Sequence, residues 1–354
     1  MKKDKTANNQ DNHIARYFLK EFGHSPAQHS FFSQSENDLT NTFSVAQNLD
    51  SSPFSNQNNA VSSIRKGDFK QALLLHHRDV NNNDLLICID ACLGVAKCFL
   101  HLGYLASSVR WASLGMAIAR HHEISFKMAS ALWLRGCAFM RGGYFQKAYE
   151  CFSFDYAILP PGHPQRVYAI CMQAYSVSYM GNETSLAAEY MYRIASYTLS
   201  KESPMHYAYS GLALLGAQSN KKELIAEATE KNRSCSNPYI QFRMKVAHFL
   251  ANEQSEDAFK NLVQYASKLD PRKYCWEIAW IQNCCKNFKI NFQTQNITSQ
   301  DIYLPAANEH CFWSLVSDLE SEPAEVHLPD SGIGAWQWSD NFEMLLKQRI
   351  CILL

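Results

Sequence analysis

The sequence predicts an all-α protein built as a solenoid of stacked two-helix units, and three observations support this class. Apolar residues recur every three or four positions from Asn59 to about Lys289, which is the spacing of amphipathic helices. Glycine and proline, which break helices, number only 14 and 11 in 354 residues. Short polar breaks return at a nearly constant interval between the apolar runs. We therefore expect about six helix-turn-helix units.

The first four breaks each carry a glycine. Gly67, Gly103, Gly143 and Gly181 lie 36, 40 and 38 residues apart, and two weaker copies without the glycine follow further along the chain. A fixed period of this size is typical of stacked helical pairs. Because glycine at a helix end can take the left-handed conformation that closes the helix, each of these residues marks a predicted turn within a unit.

The third unit shows how such a pair would pack. Its first helix is predicted to run from about Phe126 to Arg141, and its second helix to stop at Pro160, which cannot continue a helix. The small residues Gly136 and Ala148 would let the two helices approach each other closely.

This unit resembles the tetratricopeptide repeat family, in which small, aromatic and proline positions recur at the same relative spacing. The matching residues are Gly136, Phe139, Gly143, Phe145, Ala148, Phe152 and Pro160. The second unit matches in part, with Ser108 where alanine is usual. The resemblance covers roughly residues 59–271, and the period exceeds the standard repeat of about 34 residues, as in the longer repeats of bacterial regulatory proteins. It implies a right-handed α-solenoid of about six such units with a less regular C-terminal region.

The chain divides into three predicted regions. Residues 1–58 are rich in Asn, Gln, Ser and Asp, and we expect a mostly disordered polar arm with one short helix in residues 13–22. Residues 59–290 form the predicted solenoid. Residues 291–354 are irregular and end in an amphipathic helix over residues 341–354.

Charge and cysteine content narrow the class of protein. Lys+Arg and Asp+Glu are equal at 33 each, which argues against a nucleic-acid surface covering the molecule, so we expect no direct nucleic-acid partner. The 12 cysteines mostly sit inside apolar stretches, as buried thiols do in a reducing compartment. The polar N-terminus does not resemble a secretory signal, and the absence of a run of 18 apolar residues predicts no transmembrane helix. These features predict a cytoplasmic protein.

Sequence motifs for catalysis or metal binding are absent. The chain has no C-x-x-C pair, no H-E-x-x-H, no G-x-S-x-G elbow and no phosphate-binding glycine loop. Cys88 and Cys92 lie one helical turn apart without a second pair nearby, which favours packing over a metal site. We therefore expect no enzyme activity, no metal and no cofactor.

The first helices of the units are predicted to form a concave binding face. The repeat register places nine residues there: Lys97, Leu100, Trp133, Met140, Cys171, Tyr175, Tyr179, Tyr207 and Leu214. Aromatic anchors with a few cations suit a bound helix or extended peptide, so the expected function is an adaptor or regulator that binds a protein or peptide partner. The alternative is that several of these residues pack between units.

The last four residues, from Cys351 to Leu354, match the C-a-a-X prenylation box, and the final leucine favours geranylgeranyl. A lipid on Cys351 would give weak, reversible membrane association, at a host membrane if the protein is delivered into a host cell. Otherwise these residues finish an apolar helix that packs on the fold. Two further functions stay open: a secreted bacterial effector that a host prenylates, and a peptide-sensing signalling or transcription regulator that acts through a partner.

Overall fold

The computed structural model describes residues 53–180, 185–197, 202–252, 255–271, 274–288 and 292. Within these ranges the chain forms thirteen α-helices and no strand, which confirms the all-α class there. The helices, numbered in chain order, are α1 Pro53–Arg65, α2 Phe69–Asp79, α3 Leu85–Leu102, α4 Leu105–His121, α5 Ser125–Arg141, α6 Phe145–Ile158, α7 Pro164–Ser178, α8 Ser185–Tyr197, α9 Glu202–Gln218, α10 Lys222–Lys231, α11 Pro238–Ala251, α12 Glu256–Ala266 and α13 Cys275–Phe288.

From α1 to α10 each helix packs mainly against its neighbours in the chain, as stacked helical pairs do, whereas α11 packs mainly against α9. Odd-numbered helices also contact one another: α3 contacts α1 and α5, and α9 contacts α7 and α11. The odd-numbered helices therefore form one layer, and the even-numbered helices α2 to α10 form the other.

The turns between paired helices follow the predicted glycines. Gly67, Gly103 and Gly143 have φ values of 74°, 91° and 81°, in the left-handed region that glycine favours. The amide of the residue after each glycine donates a hydrogen bond to the carbonyl five residues earlier, as Tyr144 does to Phe139 at 2.9 Å. This bond is the one that closes a helix in a Schellman motif. The fourth predicted turn glycine lies outside the described residues.

The two helices of the third unit pack closely where the sequence has its small residues. A Cβ atom added to Gly136 would lie 2.6 Å from the ring of Phe152, which is fully buried. The helix α6 ends at Ile158, and Leu159 takes an extended conformation just before Pro160. The predicted limits of both helices are thus confirmed.

The serine at an alanine position of the second unit makes a specific contact. Ser108 is fully buried on α4, and its Oγ donates a 2.8 Å hydrogen bond to the carbonyl oxygen of Ala96 on α3. Because a buried hydroxyl needs a partner, this bond lets serine replace alanine between the two helices.

The observed start of the helical region differs from the predicted one. The helix α1 begins at Pro53, six residues before the predicted start of the solenoid at residue 59. Residues 1–52 lie outside the described residues, as does the predicted helix at 13–22. So do residues 293–354, with the predicted C-terminal helix and Cys351.

One described helix, α3, is long and apolar enough to cross a membrane by length and composition alone, and 61% of that segment is buried in the structure. It packs against α1, α2, α4 and α5. These contacts are those of a core helix.

Candidate binding face

The nine predicted binding residues lie on α3, α5, α7 and α9 or at the end of α7, and they differ in exposure. Lys97 is exposed, and Trp133 and Tyr179 are half-buried. The other six are buried: Leu100, Met140, Cys171, Tyr175, Tyr207 and Leu214. In this conformation those six side chains are not available to a ligand, which favours the alternative that they pack between units.

Some of these residues form a seam between successive odd-numbered helices. The Ser176 hydroxyl of α7 donates to the sulfur of Met140 on α5 at 3.1 Å, and the Tyr207 hydroxyl of α9 donates to the sulfur of Met172 on α7 at 3.4 Å. Arg243 of α11 in turn donates to the Tyr207 hydroxyl at 3.1 Å. The paired residues are 36, 35 and 36 positions apart in the chain. Equivalent positions therefore meet in successive units, as stacked repeats require.

The helix α13 is buried over its first two turns. Its residues from Cys275 to Ile281 are all buried, each with at most 7% of its surface exposed. Seven consecutive buried residues span every side of a helix, so this segment of α13 is covered all round.

The contacts of α13 reach back to the start of the solenoid. The indole nitrogen of Trp276 donates to the carbonyl oxygen of Leu100 at 2.9 Å, across 176 residues of chain. The thiol of Cys275 donates to the carbonyl oxygen of His101 at 3.1 Å. Both carbonyls lie in the last turn of α3, where a helix leaves its carbonyl oxygens without intrahelical partners. The donors on α13 therefore supply hydrogen bonds to carbonyl oxygens that the end of α3 leaves without intrahelical partners.

Arg141, at the end of α5, completes this contact. Its guanidinium donates to the same Leu100 carbonyl oxygen at 3.2 Å and lies 4.7 Å from the centre of the Trp276 ring. A buried cation over a tryptophan ring is attractive by about 2 kcal/mol. We call Leu100, Arg141 and Trp276 the closure cluster, because they join α3, α5 and α13.

Buried polar groups surround the closure cluster. Glu277 of α13 accepts a hydrogen bond from the Tyr239 hydroxyl at 3.2 Å, and burial raises the pKa of its carboxyl group although the charge of Arg141 opposes this shift. Arg243, 1% exposed, lies with its guanidinium carbon 4.3 Å from the centre of the Tyr207 ring. Burial, and then the charges of Arg141 and Lys97, lower the pKa of His101, so that it is neutral at pH 7. The arrangement fixes α13 by directional polar contacts in addition to apolar burial.

The cysteines and the potential metal ligands can be located in the described part of the chain. No group of three or more His, Cys, Asp or Glu side chains there could hold a metal ion. Nine of the ten cysteines in those ranges are buried, and Cys235 is intermediate. Burial raises the pKa of Cys98, Cys137, Cys171 and Cys275 to about 12, so these thiols are protonated at neutral pH and belong to the core.

Comparison with known proteins does not identify a family. No protein-family model matches the chain, and no curated protein matches it.

Proposed function

We propose that the protein is a non-enzymatic interaction module: a right-handed solenoid of about six tetratricopeptide-like units that binds a helix or extended peptide of a partner protein along its odd-numbered helices. The observation that supports this function is the position of α13. The odd-numbered helices already hold one helix, through an aromatic anchor, a guanidinium group and the carbonyl oxygens of α3. Docking of an apolar helix into a groove is a common mode of peptide recognition.

The partner would bind beside α13 and not in its place. Full burial of a large apolar side chain contributes about 1.5–3 kcal/mol. The four largest buried apolar side chains of α13 are those of Trp276, Ile278, Trp280 and Ile281. Exposing all four would cost about 6–12 kcal/mol, whereas micromolar affinity corresponds to about 8 kcal/mol. Because displacement would consume most or all of the binding energy of such a partner, α13 is part of the proposed binding face.

The side chains left for a partner are those that keep exposed surface on the odd-numbered helices. Lys97 is exposed on α3, Trp133 is half-buried on α5, and Tyr179 is half-buried at the end of α7. Tyr179 also stacks on Phe145, with ring centres 4.9 Å apart, and this contact holds its ring in place. A held aromatic ring loses little entropy on binding and is therefore a favourable anchor.

The experiment is quantitative affinity purification of partner proteins with the full-length chain. The binding-face variant carries Lys97→Glu and Tyr179→Ser, and the matched control carries Phe154→Ser on the even-numbered helix α6, where the side chain is 59% exposed. We expect the binding-face variant to lose a partner at least tenfold while the control retains it, with unchanged circular dichroism in both. Retention by the binding-face variant, or equal loss in both, would contradict the proposed face.

A further inference from the structure

The outward surface of α8 carries a row of large apolar side chains. Leu186, Tyr190, Ile194 and Tyr197 are 70%, 67%, 39% and 76% exposed and recur at intervals of four, four and three residues. This spacing follows the helical repeat, so the four side chains form one stripe, about 17 Å long at the rise of an α-helix. We call these four residues the α8 stripe. Ala187 is also exposed, and the two charged side chains of α8, Glu189 and Arg193, keep 19% and 35% of their surface exposed beside the stripe.

The stripe lies opposite the face that α8 buries. Ala188, Tyr192 and Ala195 are each at most 1% exposed, and the Tyr192 ring packs so closely on Gly211 of α9 that a Cβ atom there would lie 2.2 Å from the ring. The core contact of α8 is therefore already made by its other side. A surface helix normally presents polar residues to solvent, and a contiguous apolar surface marks an interaction site.

The charges next to the stripe are neutralised within the chain. Glu189 and Arg193 are the two charged residues of α8, and they pair with each other at 3.2 Å. Arg193 also pairs with Glu227 of α10 at 3.1 Å, and Glu189 pairs with Lys221 at 3.0 Å. Two acidic and two basic groups leave no net charge, so a charged partner finds no complementary charge here. An uncharged apolar surface is the better complement.

We propose that a second copy of this chain covers the α8 stripe, with the two α8 helices antiparallel about a two-fold axis. In that arrangement Leu186 faces Tyr197 of the second copy, and Tyr190 faces Ile194. Every contact then places a tyrosine ring against an aliphatic side chain, and the pattern is the same when read from either copy. A two-fold interface requires this self-complementarity. Four side chains form a small patch beside the roughly 800 Å² per partner of a standard specific interface, so we expect a weak, concentration-dependent dimer.

The first test is sedimentation velocity of the full-length chain from about 1 to 100 µM. The wild-type chain is expected to shift from monomer to dimer across this range. Tyr190→Glu should weaken the dimer at least tenfold, because it places a carboxylate in an apolar contact. The matched control, Phe154→Glu, changes a side chain of similar exposure on α6 and should dimerise like the wild type. Circular dichroism and the melting temperature check that both variants fold.

The second test identifies the antiparallel pairing. Leu186→Lys and Tyr197→Glu change the two most exposed residues of the stripe, and each should weaken dimerisation when studied alone. Mixing the two variants should restore a heterodimer, since the pairing places the Leu186→Lys side chain of one chain against the Tyr197→Glu side chain of the other and keeps the remaining three contacts native. This proposal does not depend on the proposed function. A wild-type monomer at about 100 µM, a dimer that survives Tyr190→Glu, equal loss with Phe154→Glu, or no recovery on mixing would each overturn it.

Discussion

Gly136→Ala tests the register of the repeats, because two effects on stability oppose each other at this position. Alanine in a helix interior is favoured over glycine by about 1 kcal/mol. Against this, the new Cβ atom would lie 2.6 Å from the ring of Phe152, which is fully buried and cannot move into solvent. Overpacking of this kind costs about 1–3 kcal/mol. We therefore expect a net decrease of about 1 kcal/mol in the free energy of unfolding, and a larger decrease for Gly136→Leu.

The assay is equilibrium denaturation by urea of the wild type, Gly136→Ala, Phe152→Leu and the double variant. Phe152→Leu alone removes buried ring atoms and should be destabilising. In the double variant the smaller side chain leaves room for the new methyl group, so its loss should be smaller than the sum of the two single losses by at least about 1 kcal/mol. Stabilisation by Gly136→Ala, or additive effects in the cycle, would show that α5 and α6 do not meet at these residues.

Three further predictions concern buried polar groups. Burial raises the pKa of Asp155 from 3.8 to about 7, although Gln165 donates hydrogen bonds to its carboxylate. The folded protein therefore loses stability as the pH rises from 3.8 to 7. Asp155→Asn should raise the free energy of unfolding by about 1–4 kcal/mol at pH 8 and by much less at pH 4. Burial lowers the pKa of His76 to about 4, so the folded protein loses stability as the pH falls from 6.5 to 4. His76→Leu should reduce the slope of the free energy of unfolding against pH by up to about 1.4 kcal/mol per pH unit in urea denaturation. Trp276→Phe removes the hydrogen bond to Leu100 but keeps an aromatic ring beside Arg141, so it should lower the free energy of unfolding by about 1–2 kcal/mol in the same assay. Trp276→Ala, which removes the ring as well, should lower it by about 3–5 kcal/mol. A gain from Asp155→Asn that does not depend on pH would contradict the first prediction. An unchanged pH slope in His76→Leu would contradict the second, and equal losses of stability in Trp276→Phe and Trp276→Ala would contradict the third.

The features that the sequence predicts well are those with local causes. The left-handed turns at Gly103 and Gly143 depend on the conformational freedom of glycine within a single turn. The end of α6 before Pro160 depends on a residue that cannot continue a helix. Each signal acts over a few residues, and an amino-acid sequence records such signals directly.

The position of α13 has a non-local cause. The run from Cys275 to Ile281 is apolar apart from Glu277, which indicates a helix buried on most sides, but nothing in it identifies the carbonyl of Leu100 as the partner of Trp276. That contact joins residues 176 positions apart, so no signal within a few residues of Trp276 records it.

The burial of most predicted binding residues has a related cause. Repeat register distinguishes the odd-numbered helices from the even-numbered ones, but it does not separate a side chain in the groove from one in the seam between units. Met140 and Tyr207 lie in the seam because successive helices come close enough for a hydroxyl group of one to contact a sulfur atom of the other. Met140 accepts from Ser176, and Tyr207 donates to Met172. The same ambiguity applies to α8. Tyr190 and Tyr192 are both tyrosines of this helix, and only the packing shows that Tyr192 is buried and Tyr190 is exposed.

The central claim, that α13 packs against the ends of α3 and α5, is tested most directly by a double-mutant cycle between Arg141 and Trp276. The variants are Arg141→Met, Trp276→Leu and the pair, with unfolding followed in urea. Because the guanidinium lies 4.7 Å from the ring centre in a buried site, we predict a coupling energy of about 1–2 kcal/mol. The control cycle, Trp276→Leu with Arg193→Met on α8, should be additive within about 0.5 kcal/mol. Additivity between Arg141 and Trp276 as well would mean that α13 does not lie against α5, and the claim would be wrong.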